Sequence, residues 1–273
     1  MNFSVLISVY KNDNPNYLQQ ALDSIENQTR IPSEVVLVVD GPISESLDNI
    51  IKEMSNKYSN IKLVRIEKNI GLGNALAMGM KYCSNNIIAR MDSDDISVRD
   101  RFEKQIKCFE EDSELSIVGS NIDEFENEVC NIVGKRKVPT IDHEIKKYIK
   151  YRCPFNHVSV MFKKDSVELA GGYLDWFYNE DYYLWLRMYI KKCKFRNIDE
   201  SLVRVRVGEE MYMRRGGKQY FKSEFELQKY MHEEGIINWY EFAFNVFTRF
   251  IVQRMFSNKL RGIVFKKIFR ETN

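Results

Sequence analysis

Along the first hundred residues, short apolar runs alternate with segments in which apolar positions recur every three or four residues. The runs at 3–9, 35–40, 61–66 and 86–91 read as strands, and the stretches 15–28, 45–58 and 72–83 between them as helices. Leu18, Ala21, Leu22 and Ile25 share one helical face, and Asn14-Pro15 marks where that helix opens. Strands alternating with helices predict an α/β fold with a doubly wound, mainly parallel sheet. Ligands of such sheets collect beyond the carboxyl ends of the strands. The positions to inspect are therefore Val9-Tyr10, Asp40 and Asp92 to Asp95.

The last of these is the most informative. An apolar run, Ile87-Ile88-Ala89-Arg90-Met91, ends in Asp92-Ser93-Asp94-Asp95, which delivers hard oxygen ligands to a strand end. Asp92 and Asp94 suit Mg²⁺ or Mn²⁺, ions that take one or two protein carboxylates and bridge to phosphate. The competing reading is an acidic turn ahead of a helix capped within Ser97-Val98-Arg99-Asp100. Asp40, before Gly41-Pro42, can accept a hydrogen bond from the imide N–H of uracil, or simply shape a turn. The segment Asn69-Ile70-Gly71-Leu72-Gly73-Asn74-Ala75-Leu76 lacks the third glycine of a dinucleotide fingerprint, which excludes a Rossmann dehydrogenase. Gly71 either lets a helix start close to a nucleotide or is an ordinary loop glycine.

A second group of acids opens a later helix at Glu180-Asp181. Asp181 shares a face with Leu184, Trp185 and Met188, so its carboxylate points toward the protein body. An acid pair complementing the helix dipole is the alternative. His157, one of 3 histidines, sits where a loop enters a strand, as a diphosphate or acceptor contact or as a structural histidine.

Composition narrows the class. The 273 residues suffice for one large domain plus an appendage. No apolar run has the length of a membrane span and the N-terminus carries no signal-peptide pattern, so a cytoplasmic protein is expected. Five scattered cysteines suggest neither a disulfide framework nor a zinc site. A net charge of +2 says nothing about nucleic acid, but the first two hundred residues hold no basic stripe with interleaved aromatics, so no nucleic-acid partner is expected.

The segments SVLISVYKN, EVVLVVDGP, NIGLGNALAMGMKYC, IIARMDSDD and GGYLDWFYNEDYYLWLRM, in this order over roughly the first 200 residues, resemble the inverting family 2 glycosyltransferases of GT-A fold. The resemblance is greatest to bacterial enzymes of O-antigen and exopolysaccharide (amylovoran-type) synthesis. Two departures stand out: Gly41-Pro42 replaces the usual Asp-Gly-Ser, and Leu72 to Ala75 lack the common arginine. The resemblance implies a GT-A catalytic domain over 1–205, with 1–98 binding a nucleotide sugar and 99–205 the acceptor. It further implies that Asp40 contacts uracil, that Val9 and Tyr10 border the base, that Asp92 sits near ribose and donor sugar, and that Asp94 ligates Mn²⁺ or Mg²⁺. Asp181 becomes the general base, with Glu180 beside it. The donor would be a UDP-hexose and the acceptor a lipid-linked oligosaccharide. A phosphatase of the haloacid dehalogenase type would carry its D-x-D after the first strand. A catalytically inactive scaffold would have no reason to keep both acid groups.

After residue 205 the pattern changes. A basic, glycine-containing loop, Met211 to Lys218, brings Arg214 and Arg215 as candidates to meet a diphosphate, with an exposed basic turn as the alternative. Residues 239–256 form an aromatic-rich amphipathic helix with a polar stripe of Glu241, Asn245, Thr248 and Arg249. The tail beyond holds Lys259, Arg261, Lys266, Lys267 and Arg270 against Glu271. This extension, 206–273, fits either peripheral binding to the inner face of the cytoplasmic membrane or packing on the catalytic body or a second copy.

Overall fold

The computed structural model describes residues 1–208 and 216–256. The first half runs β1 (Ser4–Val9), α1 (Pro15–Glu26), β2 (Glu34–Asp40), α2 (Glu45–Lys57), β3 (Ile61–Ile66), α3 (Leu72–Tyr82) and β4 (Ile87–Asp92). Then follow β5 (Ile96–Ser97), α4 (Arg101–Glu111), β6 (Leu115–Phe125), β7 (Ile132–Arg136), α5 (Asp142–Tyr148), a 3-10 turn at His157–Ser159, β8 (Met161–Lys163), α6 (Lys164–Leu169) and α7 (Glu180–Ile190). The long β9 (Lys194–Arg206) is succeeded by α8 (Lys218–Glu233) and α9 (Trp239–Phe250), which continues as a π-helical turn, Ile251–Met255.

All strands join one sheet in the order β3-β2-β1-β4-β8-β6-β9-β5, with β7 hairpinned onto β6. The first four are parallel, as the alternating pattern predicts. Beyond β4 the sheet is mixed: β8 is antiparallel to both β4 and β6, while β9 returns parallel to β6.

Both faces of the parallel part are covered, which is why its strands read as continuous apolar runs rather than alternations. Val5, Ile7 and Val9 pack under α1, α2 and α4, whereas Leu6, Val36 and Val38 face α3 and α7. Local chemistry marks the helix starts. Asn14 Oδ1 accepts from the Asn16 N–H at 2.9 Å and Pro15 occupies the first turn of α1; Ser44 caps α2 by accepting from the Leu47 N–H. Helix α3 lies so close to the sheet that a Cβ on Gly79 would come within 2.5 Å of Leu6 Cδ1 and 2.6 Å of Val38 Cγ2. That approach aims the N-terminus of α3 at the carboxyl ends of β1 and β2. Among the described residues no helix is long and apolar enough to cross a membrane.

Candidate active site

The carboxyl ends of β2, β1 and β4 lie side by side and mark out a candidate cleft, with a carboxylate at or just beyond each: Asp40, Asp13 and Asp92. Asp40, ending β2, is 3% exposed and organises the loop before α3: its Oδ1 accepts from the Ile70 N–H at 2.8 Å, and its Oδ2 from the Asn69 side chain at 2.9 Å and the Gly71 N–H at 3.1 Å. Gly41 makes this approach feasible. Its φ of 88° lies in the left-handed region, and a Cβ there would sit 2.5 Å from the Asn69 backbone nitrogen. Gly71 in turn caps α3 with φ 85°. Tyr10, 37% exposed, borders the cleft after β1. The side chain of Val9 does not, because strand alternation places it with Val5 and Ile7 in the core, fully buried, and leaves only its backbone for a ligand.

After β4, Asp92, Asp94 and Asp95 bring one carboxylate oxygen each within 4.8 Å of one another. Burial, and then repulsion from Asp92 and Asp13, lifts the Asp94 carboxyl to about 6. Asp95 is 2% exposed and is pushed well above the ordinary carboxylate range by burial and by Asp94, although its Oδ1 accepts the Arg206 N–H at 2.8 Å. Three mutually repelling carboxyls, all hard oxygen donors, fit a small divalent cation of the Mg²⁺ or Mn²⁺ kind. Asp13 adds a further acid. It accepts from the Tyr10 N–H at 3.0 Å and the Ser93 hydroxyl at 2.8 Å, locking the loop after β1 to the loop after β4, and burial raises it to about 6.

Arg90 is the cation beneath this group. It is 2% exposed, pairs with Asp92, and has no hydrogen-bond partner for Nε or Nη1 among the described residues. Its charge draws down the carboxyls of Asp94, Asp95, Glu180 and Asp181, partly offsetting the effect of burial, so both acid groups lie within its electrostatic reach.

The second group opens α7. Leu184, Trp185 and Met188 are wholly buried and Asp181 is half-buried on their side, as helical spacing predicts. Asp181 Oδ1 accepts the Tyr182 N–H at 2.7 Å, and Cys153 Sγ lies 3.7 Å from its Oδ2. Burial raises its carboxyl, against the lowering effect of that N–H. Glu180 reaches about 7 through burial and repulsion from Asp181. Glu180 also meets the first half of the chain directly: a Cβ on Gly73, in the first turn of α3, would come 3.3 Å from its Cβ. His157 is half-buried, its Nε2 2.9 Å from the Tyr173 hydroxyl and its ring 6.0 Å from that of Trp185, with desolvation and the Arg90 charge favouring its neutral form. Arg214 and Arg215 lie outside the described residues.

Residues 4–168 match the model of glycosyl transferase family 2. The chain belongs to this family. It is 37% identical over 268 residues to the UDP-Gal:alpha-D-GlcNAc-diphosphoundecaprenol beta-1,3-galactosyltransferase of Escherichia coli, covering 98% of this chain and 96% of that one. It is 40% identical over 230 residues to the amylovoran biosynthesis glycosyltransferase AmsE of Erwinia amylovora, covering 83% and 84%. Among solved structures, the mannosyltransferase PcManGT from Pyrobaculum calidifontis, in complex with GDP-Man and Mn²⁺, superposes with a TM-score of 0.64 at 14% identity, covering 93% of this chain and 70% of that one. That likeness shows the GT-A fold. Family 2 membership replaces the phosphatase and scaffold readings with a hexosyltransferase.

Two residues of this glycosyltransferase escape sequence reasoning. Arg90 is a lone charge inside an apolar strand, a signal in itself, since a charge is buried only when paired. Asp13 lies four residues past the end of β1 and is indistinguishable there from a turn former.

Proposed function

We propose that this family 2 enzyme transfers a hexose from a UDP-sugar to a polyprenyl-diphosphate-linked glycan, inverting the anomeric carbon, in bacterial surface-polysaccharide synthesis. We further propose that it works at the inner face of the cytoplasmic membrane, reached through its C-terminal extension. The observation that carries the reading is that the Asp92–Asp94–Asp95 cluster and Glu180–Asp181 lie within electrostatic reach of one another and of Arg90, with Glu180 against the first turn of α3. The names of the Escherichia coli and Erwinia amylovora relatives support the donor and the pathway class.

In this reading Asp40 and the Asn69–Gly71 loop receive the uracil, with Tyr10 along its edge. Asp94 and Asp92 would hold a divalent cation, which would supply positive charge against the departing diphosphate. Asp181 accepts the proton of the acceptor hydroxyl. That oxygen forms its bond to the anomeric carbon as the bond to the diphosphate oxygen breaks on the opposite face, so UDP departs and configuration inverts. Burial of Asp181 strengthens it as a base, and the Cys153 and Tyr182 contacts keep it aimed. Glu180, against the α3 terminus, borders the donor sugar.

Calorimetric titration with UDP, with and without Mn²⁺, tests the donor site without knowledge of the acceptor. Metal-dependent binding is the expected result; no binding under either condition contradicts the reading.

A further inference from the structure

Helix α9 is built inside out. Its polar residues face the protein. Asn245, 2% exposed, donates from Nδ2 to the Lys150 carbonyl at 2.9 Å and to Gln228 Oε1 at 2.8 Å. Arg249 pairs with Glu224 at 2.6 Å and donates to the Tyr151 carbonyl at 2.8 Å, while Glu241 completes a capping box with Asn238 and meets Lys150. The opposite face is aromatic and open: Tyr240, Phe244 and Phe247 are 84%, 61% and 63% exposed, and Met255 on the following turn 68%. Residues 240, 244 and 247 follow one another at helical spacing, so these rings form a continuous stripe rather than scattered exposed side chains. A contiguous apolar stripe on an otherwise well-anchored helix marks a contact surface.

The charge of the chain that follows identifies the partner. Arg254 is exposed beside the stripe, and residues 257–273 carry Lys259, Arg261, Lys266, Lys267 and Arg270 against Glu271, interspersed with Leu260, Ile263, Val264, Phe265, Ile268 and Phe269. Aromatic side chains flanked by basic ones match the boundary between headgroups and acyl chains of an anionic bilayer. A symmetric contact between two copies would instead bring two such basic tails together, since a two-fold interface apposes the same patch of each subunit.

We infer that the Tyr240–Phe244–Phe247 face of α9 seats in an anionic lipid surface. The proposal deepens the reading of a lipid-linked acceptor and rests on it for its purpose. The same helix grips Lys150 and Tyr151, two to three residues from Cys153, which touches Asp181. Seating α9 therefore fixes the base relative to the surface from which a lipid-linked acceptor projects.

The test is co-sedimentation of the full chain with vesicles of phosphatidylglycerol and phosphatidylethanolamine, and with neutral phosphatidylcholine vesicles, comparing the wild type with Phe244→Ser/Phe247→Ser. The wild type is expected to sediment with anionic vesicles, and the double variant to bind them about tenfold more weakly or worse, while binding UDP and Mn²⁺ with unchanged affinity. Unchanged UDP binding shows that the variant is folded and keeps the donor-site reading separate from this one. The inference is overturned if the wild type ignores anionic vesicles or if the variant sediments as well as the wild type. It is also overturned if light scattering shows a dimer that the two substitutions dissociate without altering vesicle binding.

Discussion

Arg90 and Asp92, two positions apart on β4 and therefore on the same face of the strand, form an ion pair at the floor of the cleft with the guanidinium 2% exposed. The pair holds the Asp92 carboxylate toward Asp94 and Asp95 while supplying the positive charge that the acid cluster otherwise lacks. Replacing Arg90 by Met removes the buried partner of a half-exposed acid. About 1–3 kcal/mol of stability should be lost, below the range for a fully buried pair because Asp92 keeps its access to water. Transfer should fall more than stability predicts, and Arg90→Lys should recover part of the stability but less of the activity, since an ammonium does not reproduce the guanidinium fork. Urea unfolding and steady-state rates on the two variants check this.

Asp94→Asn should weaken Mn²⁺-dependent UDP binding at least about tenfold, because one anionic oxygen ligand becomes a neutral amide. The fold should persist, as Asp94 is half-buried and its own carboxyl is strained by neighbouring charge. Calorimetry with and without Mn²⁺ reads the loss, and circular dichroism the retained fold.

Asp181→Asn should lower transfer by about 10²–10⁴, the usual contribution of a positioned base, while leaving UDP affinity within about threefold. Glu180→Gln should do less to the chemical step and more to donor-sugar affinity, because Glu180 lies against α3 at Gly73. Rates at saturating and limiting donor separate the two effects.

The raised carboxyl of Glu180 has a definite sign in stability. Its value in the folded protein, about 7, lies above its ordinary 4.5, so between these values the folded state holds a proton that the unfolded state has released. Stability therefore falls as pH rises through this window. Neutral, half-buried His157 works in the opposite direction, because the unfolded chain protonates it below its ordinary 6.5. A comparison of wild type with Glu180→Gln isolates the first effect: relative to the wild type, the variant should gain stability as pH rises from 4.5 to about 7 and level off above that. Urea midpoints at four or five pH values suffice.

The parallel half of the fold was legible because Val35 to Val39 and the Leu18–Ile25 face express burial directly in residue type. Element ends shifted by one or two residues, as frayed helix ends do. The mixed half was less legible, since β5, β8 and the 3-10 turn at His157 are too short to carry a period and depend on long-range pairing. Both acid groups could be placed from spacing and strand ends. Their convergence could not, because Gly73 meets Glu180 only through the packing of α3 and α7 against the same sheet face. The polar stripe of α9 was visible, but the direction it faces was not: Asn245 and Arg249 turn inward to Gln228 and Glu224, partners that a helical wheel does not contain.

The central claim is inverting hexosyl transfer driven by one cleft. Its most direct test is incubation of the protein and Mn²⁺ with each common UDP-hexose and a lipid-diphosphate-linked N-acetylhexosamine, with nuclear magnetic resonance of the anomeric proton in the product. From an α-linked donor, one new β-glycosidic bond that forms with the wild type and not with Asp181→Asn is the predicted result. An α-linked product, or undiminished transfer by the variant, would contradict the account.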